Sequence, residues 1–325
     1  MAWQRPALRT STVIRVLTVR SYAPADAEAW DALVEQSRNG NFLHRRGYMD
    51  YHADRFTDSS LIVERDNKMI AVFPANRREN LVTSHGGLTY AGLISSCALR
   101  AESTLAVFEQ IGEHYRALGV ERALYKAVPH VFHAYPAEED LYALHRLGAQ
   151  LKRRDLSSVI PLQETFRFTQ ERQRAVNKAR KAGIRCQSAS DMTAFHALLT
   201  ETLRKYNVPP THSLQELCLL QSRFPEHIVL HEARDEESLM AGVLIYDFGR
   251  TVHAQYLATS ESGRKANALN LLLAELMEDV YANRFYFSLG ISTEHEGRQL
   301  NSGLVSQKEY FGARAITHDF YEWVL

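Results

Sequence analysis

One histidine and five polar residues near the C-terminus have side chains that can transfer protons or hold anions. They are His253 in the segment TVHAQYLAT, and Ser292, Thr293, Glu294, Asn301 and Lys308 in the segment GISTEHEGRQLNSGLVSQKEYFGAR. An unperturbed histidine titrates near pH 6.5, so His253 is the first candidate for a base, and the Glu294 carboxylate is the second. The Lys308 ammonium could stabilise an anion or contact a phosphate group.

The segment that contains His253 has the composition of a β-strand. Successive side chains of a strand point to opposite faces. Strict alternation therefore predicts that His253, Gln255 and Leu257 share one face, with Tyr256 on the other. Gln255 becomes a candidate for contact with a substrate beside His253.

Three further substrate-contact candidates lie in the first half of the chain. SHGGLTYAG contains His85 and Tyr90 near the start of a predicted strand, and KAVPHVFHAYP contains His130 after the next strand. His130 and His133 are three residues apart, which suggests a metal, but no third ligand is in view, and we predict none. A nucleotide or sugar pocket and ordinary packing are both open for these histidines.

A covalent mechanism has little support in the sequence. The three cysteines, Cys97, Cys186 and Cys218, are far apart and form no CxxC pair, which indicates a reducing compartment without structural zinc or disulfides. No serine lies in a nucleophile-elbow pattern. We therefore expect direct attack on the substrate without a covalent enzyme intermediate.

Composition and charge favour a large folded chain without a polyanionic partner. The 325 residues are 45% hydrophobic, and 38 basic residues balance 38 acidic ones. Zero net charge argues against binding to nucleic acid or an anionic membrane. No apolar run approaches the roughly 20 residues of a membrane helix. The N-terminal segment lacks the apolar core of a signal peptide, so we expect a cytoplasmic protein.

The predicted elements occur in the same order in both halves of the chain. Each half has strands, a long helix, a strand, a short helix and a final strand; the long helices are predicted near 103–118 and 267–281. An offset of 164 residues aligns LTYAGLISS with VHAQYLATS, and Asp155 with Asp319. This repeat predicts two domains, residues 12–160 and 161–325. The basic segment RFTQERQRAVNKARKAGI between them is interpreted as a solvated connecting helix.

This element order and several motifs resemble the GNAT acyltransferase fold in tandem, as in the FemABX-like lineage. The motifs are RRDLSSVIPL, VHAQYLA, the C-terminal segment of residues 290–314 and, more loosely, NKARKAG. The resemblance is greatest to tandem-GNAT enzymes that N-acylate nucleotide-linked amino sugars. It implies an α/β (α+β) fold of two GNAT-like domains, each a mixed, splayed sheet flanked by helices.

The resemblance implies acyl-CoA as co-substrate, bound to the second half only. A helix N-terminus binds a pyrophosphate well. The corresponding loop is SESGRKANAL, in which Gly263, Arg264, Lys265, Ala266 and Asn267 are the candidate contacts. Gly263 would let the backbone approach the phosphates. The first-half loop has Leu99 in place of the glycine, so we expect that half to have lost the site.

In many GNAT enzymes an asparagine follows the next strand, and a tyrosine seven residues later protonates the CoA thiolate. Asn301 and Gly312 match this pattern, but Lys308 occupies the tyrosine position, so Lys308 would stabilise or protonate the thiolate instead. The resemblance places Ser292, Thr293 and Glu294 beside the thioester.

The implied activity is transfer of an acetyl or short hydroxyacyl group from acyl-CoA to the amine of a dTDP- or UDP-linked amino sugar. Such a reaction belongs to surface-polysaccharide biosynthesis, including the O-antigen of lipopolysaccharide. The alternatives are a FemABX-like transferase that uses aminoacyl-tRNA on peptidoglycan precursors, and a non-catalytic GNAT-like binding module. The sequence leaves the oligomeric state open, with a homodimer among the alternatives.

Overall fold

A computed structural model describes residues 17–236 and 238–325 of the chain. Residues 12–16, which belong to the predicted first domain, lie outside the described residues. No helix in the described ranges is long and apolar enough to cross a membrane.

The described part of the first half contains nine strands and four α-helices. The strands are Leu17–Ser21 (β1), Thr57–Asp58 (β2), Leu61–Arg65 (β3), Lys68–Phe73 (β4), Asn76–Arg78 (β5), Leu81–Thr83 (β6), Ile94–Ser95 (β7), Arg122–Lys126 (β8) and Gln150–Pro161 (β9). The helices are Ala27–Glu35 (α1), Arg46–Met49 (α2), Ala101–Ala117 (α3) and Glu139–Arg146 (α4). A short 3-10 turn, His130–Phe132, follows β8.

The second half, which the structure describes apart from residue 237, contains eight strands and six α-helices. The strands are Arg185–Ala189 (β10), Ile228–Asp235 (β11), Ser238–Asp247 (β12), Thr251–Thr259 (β13), Tyr286–Ile291 (β14), Thr293–Glu294 (β15), Gln299–Leu300 (β16) and Arg314–Val324 (β17). The helices are Gln170–Lys181 (α5), Met192–Arg204 (α6), Leu214–Arg223 (α7), Glu261–Ala266 (α8), Ala268–Glu275 (α9) and Ser302–Glu309 (α10).

The strands form one eleven-stranded sheet, one four-stranded sheet and one small hairpin. The large sheet has the order β10-β11-β12-β13-β14-β9-β17-β8-β6-β5-β2, and the second has the order β1-β3-β4-β7. Helices flank both sheets, so the mixed α/β fold class is confirmed.

The final strand of each half pairs with the other half. β9 from the first half pairs antiparallel with β14 of the second, and β17 from the second pairs antiparallel with β8 of the first. β9 and β17 also pair with each other, with Asp155 opposite His318 and Arg154 opposite Asp319. This exchange makes the large sheet continuous through both halves.

The predicted strand LTYAGLISS is mostly irregular. Only Ile94–Ser95 forms a strand, and it pairs with β4. Gly92 has a φ of 68°, and the Leu93 N–H donates to the Tyr125 hydroxyl at 2.8 Å instead of continuing a ladder. This side-chain hydrogen bond turns the chain away from the strand conformation.

Three hydrophobic clusters fill the interior, and the first of them joins the two halves. In this cluster Phe42 of the first half packs against Phe224, Tyr246 and Phe248 of the second, with ring centroids 5.3–5.4 Å apart. The second cluster lies within the second half around α9, and the third lies mainly in the first half around α3. The aromatic contacts of the first cluster fix the halves against each other.

Six largely buried histidines are held neutral by the interior. Burial lowers the pKa of each from 6.5 to about 3 or about 4. They are His44, His85, His212, His231, His253 and His318. The effect of Asp140 on stability has the opposite dependence on pH. Burial raises the pKa of its carboxyl to about 6, so the folded state binds a proton more readily than the unfolded state.

Lowering the pH from about 6.5 to about 5 should destabilise the folded chain. In this window the unfolded state protonates the six histidines while the folded state leaves them neutral, so stability is lost as the pH falls. Each fully affected histidine contributes about 1.4 kcal/mol per pH unit, and Asp140 opposes the six. Urea unfolding midpoints measured across this range should fall.

The variant His231→Gln removes one of these titrations and should reduce the slope of unfolding free energy against pH. Its partner Tyr281, whose hydroxyl lies 2.9 Å from His231 Nε2, keeps a polar neighbour in the variant. A wild-type midpoint that does not change between about pH 6.5 and 5 would contradict the assignment of neutral buried histidines.

Candidate active site

β13 and β14 form a V-shaped opening because their parallel pairing is short. This pairing ends at His253 on β13 and Ser288 on β14. The pairing of β13 with β12 skips Gln255, and the pairing of β14 with β9 skips Leu289. Gly290 follows with a φ of 75°. Bulges bend strands and increase their twist, so the two strands diverge beyond these positions.

The bulge at Gln255 changes which side chains share a face of β13. Strict alternation predicted Leu257 on the face of His253 and Tyr256 on the opposite face, and both assignments are wrong. Tyr256 packs against the first cluster, as His253 does through Phe132 at a ring distance of 6.4 Å. Leu257 packs against the second cluster. One extra residue at the bulge shifts the alternation by one position.

His253 lies at the closed end of the V and is neutral at physiological pH. Its Nδ1 lies 3.0 Å from the Ser288 hydroxyl. Burial, with smaller contributions from His318 and Lys308, lowers its pKa to about 3. Among the described residues its second ring nitrogen has no hydrogen-bond partner. The side chain can accept a hydrogen bond, but its low pKa makes it a weak base.

Lys308 ties helix α10 to the end of β14. Its Nζ donates to the carbonyls of Gly290 and Ile291 and to the Ser292 hydroxyl, each at 2.8 Å. Burial lowers its pKa to about 8. All three N–H bonds of the ammonium are therefore used to hold the diverging strand.

Glu294 lies on β15 of the small hairpin, and Asn301 directly follows β16. Asn301 donates through Nδ2 to Glu294 at 2.8 Å and accepts from the Leu304 N–H at 2.9 Å, which caps α10. Glu294 is exposed. The asparagine thus fixes both the start of the helix and the carboxylate.

Thr293 anchors this hairpin to β9. Its hydroxyl donates to Asp155 at 2.9 Å, and Asp155 is also paired with Arg153 at 2.8 Å. Gly297 lies against the Arg154 carbonyl, where a Cβ would come within 2.0 Å of the oxygen. The polar loop that contains β15 and β16 is therefore packed between the V and β9.

The candidate donor loop begins at Ser260, which caps α8 by accepting from the Gly263 N–H at 3.0 Å. A Cβ on Gly263 would lie 2.0 Å from the Met240 carbonyl. The packing of α8 on β12 thus requires a glycine here, and the close approach to phosphates expected from the sequence stays a prediction. Arg264 donates to the Thr259 carbonyl at 3.0 Å.

The rest of the loop lies at the open end of β13. Lys265 pairs with Glu261 at 2.8 Å on the surface. Ala266 ends α8, and Asn267 has a φ of 62° that separates α8 from α9. The surface of this loop therefore consists of the exposed ion pair of Lys265 with Glu261, the end of α8 and the start of α9.

A cavity of about 330 Å³ lies between α9 and α10. Leucines from both arms of the V and both helices line most of it, with Phe311, Asn270 and Lys308. The leucines are Leu257, Leu269, Leu273, Leu289 and Leu304. Sequence reasoning missed this cavity, although the leucine run of α9 was a signal for an apolar helix face.

Arg172 on α5 also lines this cavity and was not predicted. Its guanidinium lies 4.4 Å from the Phe311 ring centroid and donates to Asn270. α5 packs with the buried residues Val176 and Ala179. The interpretation of this segment as a solvated connecting helix is therefore wrong for one face, because that face is buried against α9.

The first-half candidates occupy three different surroundings. His85 is buried beside His52, with ring centroids 5.5 Å apart. Tyr90 is buried and stacks on Phe132 with ring centroids 4.7 Å apart. Phe132 also contacts the ring of His253, so Phe132 lies between Tyr90 and His253. His130 lines a separate cavity. No group of three His, Cys, Asp or Glu side chains in residues 17–236 and 238–325 is arranged to hold a metal.

Residues 166–297 match the family model described as acetyltransferase (GNAT) domain. No curated protein sequence matches the chain significantly. The match covers β13, the donor loop, β14 and the first part of the polar loop. It supports an acyltransferase of the GNAT type.

Solved structures share the fold at low sequence identity. FemX has a TM-score of 0.67 at 12% identity over 95% of this chain and 97% of its own. The C-terminal domain (DUF2156) of a putative lysylphosphatidylglycerol synthetase from Agrobacterium fabrum has a TM-score of 0.59 at 10% identity over 92% of each chain.

A tandem GNAT protein from the clavulanic acid biosynthesis pathway has a TM-score of 0.51 at 10% identity over 94% of this chain and 98% of its own. These three structures support a GNAT-like fold of the tandem, FemABX-like kind for the chain.

Gly263→Ala should lower the melting temperature, because the added methyl group meets the Met240 backbone. Overpacking of this kind costs about 1–3 kcal/mol. Gly303→Ala is the matched control, since a Cβ there meets nothing closer than 3.7 Å. Thermal unfolding of both variants tests the assignment. Equal melting temperatures would contradict the steric role of Gly263.

Proposed function

We propose that the chain is an acyl-CoA-dependent N-acyltransferase that acts on a dTDP- or UDP-linked amino sugar in surface-polysaccharide biosynthesis. The main support is the V between β13 and β14, which opens beside a mostly apolar cavity in a segment that matches a GNAT acetyltransferase domain. The transferred group is acetyl or a short hydroxyacyl group.

The donor is proposed to run from the loop of α8 into the V. Its phosphates would lie near Arg264, Lys265 and the backbone up to Asn267, at the open end of β13. Its apolar arm would occupy the cavity between Leu257 and Leu289. This arrangement brings the thioester toward the bulge at Gln255.

The reaction is proposed to be a direct transfer. The amine lone pair attacks the thioester carbonyl carbon, a C–N bond forms, and the C–S bond breaks as the thiolate leaves with its electron pair. The amine gives up one proton, and the thiolate takes up one. Backbone N–H groups of β13 beyond the last pair with β14 are proposed to hold the oxyanion.

The structure favours a positioning role for His253 over that of a strong base. A neutral imidazole can accept a hydrogen bond from the amine or from a water that carries the proton away. Glu294 is the second candidate acceptor. Lys308 holds β14 in its diverging course, and its charge would favour the departing thiolate from that fixed position.

A second candidate donor is aminoacyl-tRNA, which the FemABX-like resemblance implies. The structural similarity to FemX over nearly the whole chain favours it. The balanced charge of the chain argues against it. A non-catalytic binding module is the third candidate.

A coupled assay separates the three candidates. Acyl-CoA with UDP- or dTDP-amino sugars should release free thiol, and the matching neutral sugars should release none. Aminoacyl-tRNA that is consumed in place of acyl-CoA would support the second candidate. Turnover of neither, with CoA still bound, would support the binding module.

Leu257→Trp should raise the KM for acyl-CoA at least about tenfold, because the larger side chain fills a cavity of about 330 Å³. Leu219→Trp is the matched control, since Leu219 is 39% exposed on α7. Initial rates against acyl-CoA concentration measure the effect. Equal KM values in both variants would place the donor elsewhere.

His253→Asn should lower kcat/KM by about tenfold without moving its pH profile. The His253 pKa of about 3 cannot produce an ionisation near neutrality, so we expect the rise of kcat/KM with pH to come from the sugar amine. Profiles of both proteins between about pH 6 and 9 test this. Loss of the neutral ionisation in the variant would restore His253 as the general base.

A further inference from the structure

Two cavities open on either side of Tyr286, the first residue of β14. One of about 290 Å³ is lined by residues of the loop after β8 and by Arg250, and the other of about 490 Å³ by residues of the segment after β9 and by Arg314. Tyr286 lines both and pairs with Pro161. Neither cavity belongs to the donor site between α9 and α10.

Three arginines around Tyr286 have no acidic partner. Arg250 lines the first cavity and lies over the Phe285 ring at 4.1 Å, whereas Arg167 and Arg314 line the second. Within residues 17–236 and 238–325 none of the three forms an ion pair. Three guanidinium groups without an ion-pair partner, in two neighbouring cavities, favour a bound polyanion, because arginine suits phosphate recognition.

The first cavity also holds two hydrogen-bond acceptors. His133 is 5% exposed, and its Nε2 lies 2.9 Å from the Val128 carbonyl, so this nitrogen carries the proton. Its buried Nδ1 has no partner and is therefore an acceptor without a donor. Glu138 supplies a carboxylate in the same cavity.

Aromatic rings complete the surroundings. Tyr286 stands between the cavities, and Tyr135, which is 65% exposed, lines the first. Such rings offer stacking surfaces for a planar base. From Arg250, beside β13, to Arg314 on β17 the path crosses three strand spacings, or about 14 Å.

We propose that the two cavities beside Tyr286 together bind one pyrimidine nucleoside diphosphate. The base stacks beside Tyr135 and Tyr286, its imide N–H donates to His133 Nδ1 or Glu138, and the phosphates contact Arg250 and the arginines across Tyr286. This inference rests on the proposed function, since the ligand is the nucleotide of the proposed sugar substrate. Ser288, the partner of His253, lies two residues along β14, about 7 Å away.

Calorimetric titration of the full chain with UDP in the absence of acyl-CoA tests the site. UDP should bind, and the double variant Arg250→Gln/Arg314→Gln should weaken it at least tenfold. Arg185→Gln, an exposed arginine on the far edge strand β10, is the matched control and should bind like the wild type. Equal binding of UDP to all three proteins would overturn the proposal.

Recognition of the pyrimidine base by this site has its own test. Cytosine lacks the imide N–H, so CDP should bind at least tenfold more weakly than UDP, and inorganic pyrophosphate more weakly again. Equal affinities for UDP, CDP and pyrophosphate would leave a phosphate site without base recognition and would overturn the assignment. Binding of a single-stranded RNA that UDP does not displace would do the same.

The experiments give different results if the proposed nucleotide site is wrong and if the proposed function is wrong. If UDP binds as expected but no UDP- or dTDP-amino sugar releases thiol from acyl-CoA, the proposed function is wrong and the site stands. If such sugars are acylated but neither UDP nor the arginine variants affect the rate, the site is wrong and the function stands.

Discussion

The pairing of β9 with β17 is the interaction on which the rest of the structure depends. Each strand ends one half of the chain and pairs with the other half, so neither half can complete its sheet alone. β9 supplies the outer partner of β14 and thereby holds one arm of the V. It also carries Asp155, to which the polar loop is tied through Thr293. A displacement of this strand would therefore reach both the V and the loop beside it.

Two further features keep the V open. The bulge at Gln255 turns β13 away from β14, and the Lys308 ammonium satisfies two carbonyls that β14 exposes as it diverges. Both hydrogen bonds are partly buried and have a charged donor, which strengthens them, so the lysine stabilises the open course of the strand. These contacts give the buried lysine a structural role in this position. The side chain supports the geometry first, and any effect on a thiolate acts through its charge.

The sequence predicted the order of the elements better than their pairing. Helical spacing placed α3 and α9 within a few residues, and alternation placed β13 correctly as a strand. Alternation failed beyond Gln255, because a bulge leaves no mark in a pattern of period two. The exchange of β9 and β17 was also invisible, since antiparallel partners distant in the chain carry no local signal. Arg172 was missed because a basic run does not indicate which member of it turns inward.

The two halves differ in the space available at the position where the proposed donor would bind. In the first half, the backbone at the corresponding opening is closed: the Ala91 N–H donates to the Lys126 carbonyl, and Lys126 Nζ donates to the Leu88 carbonyl. Leu99 is 2% exposed in the loop that corresponds to the one with Gly263. The second half replaces these internal contacts with a leucine-lined cavity. A closed first half and an open second half support the proposal of a single donor site in the second half.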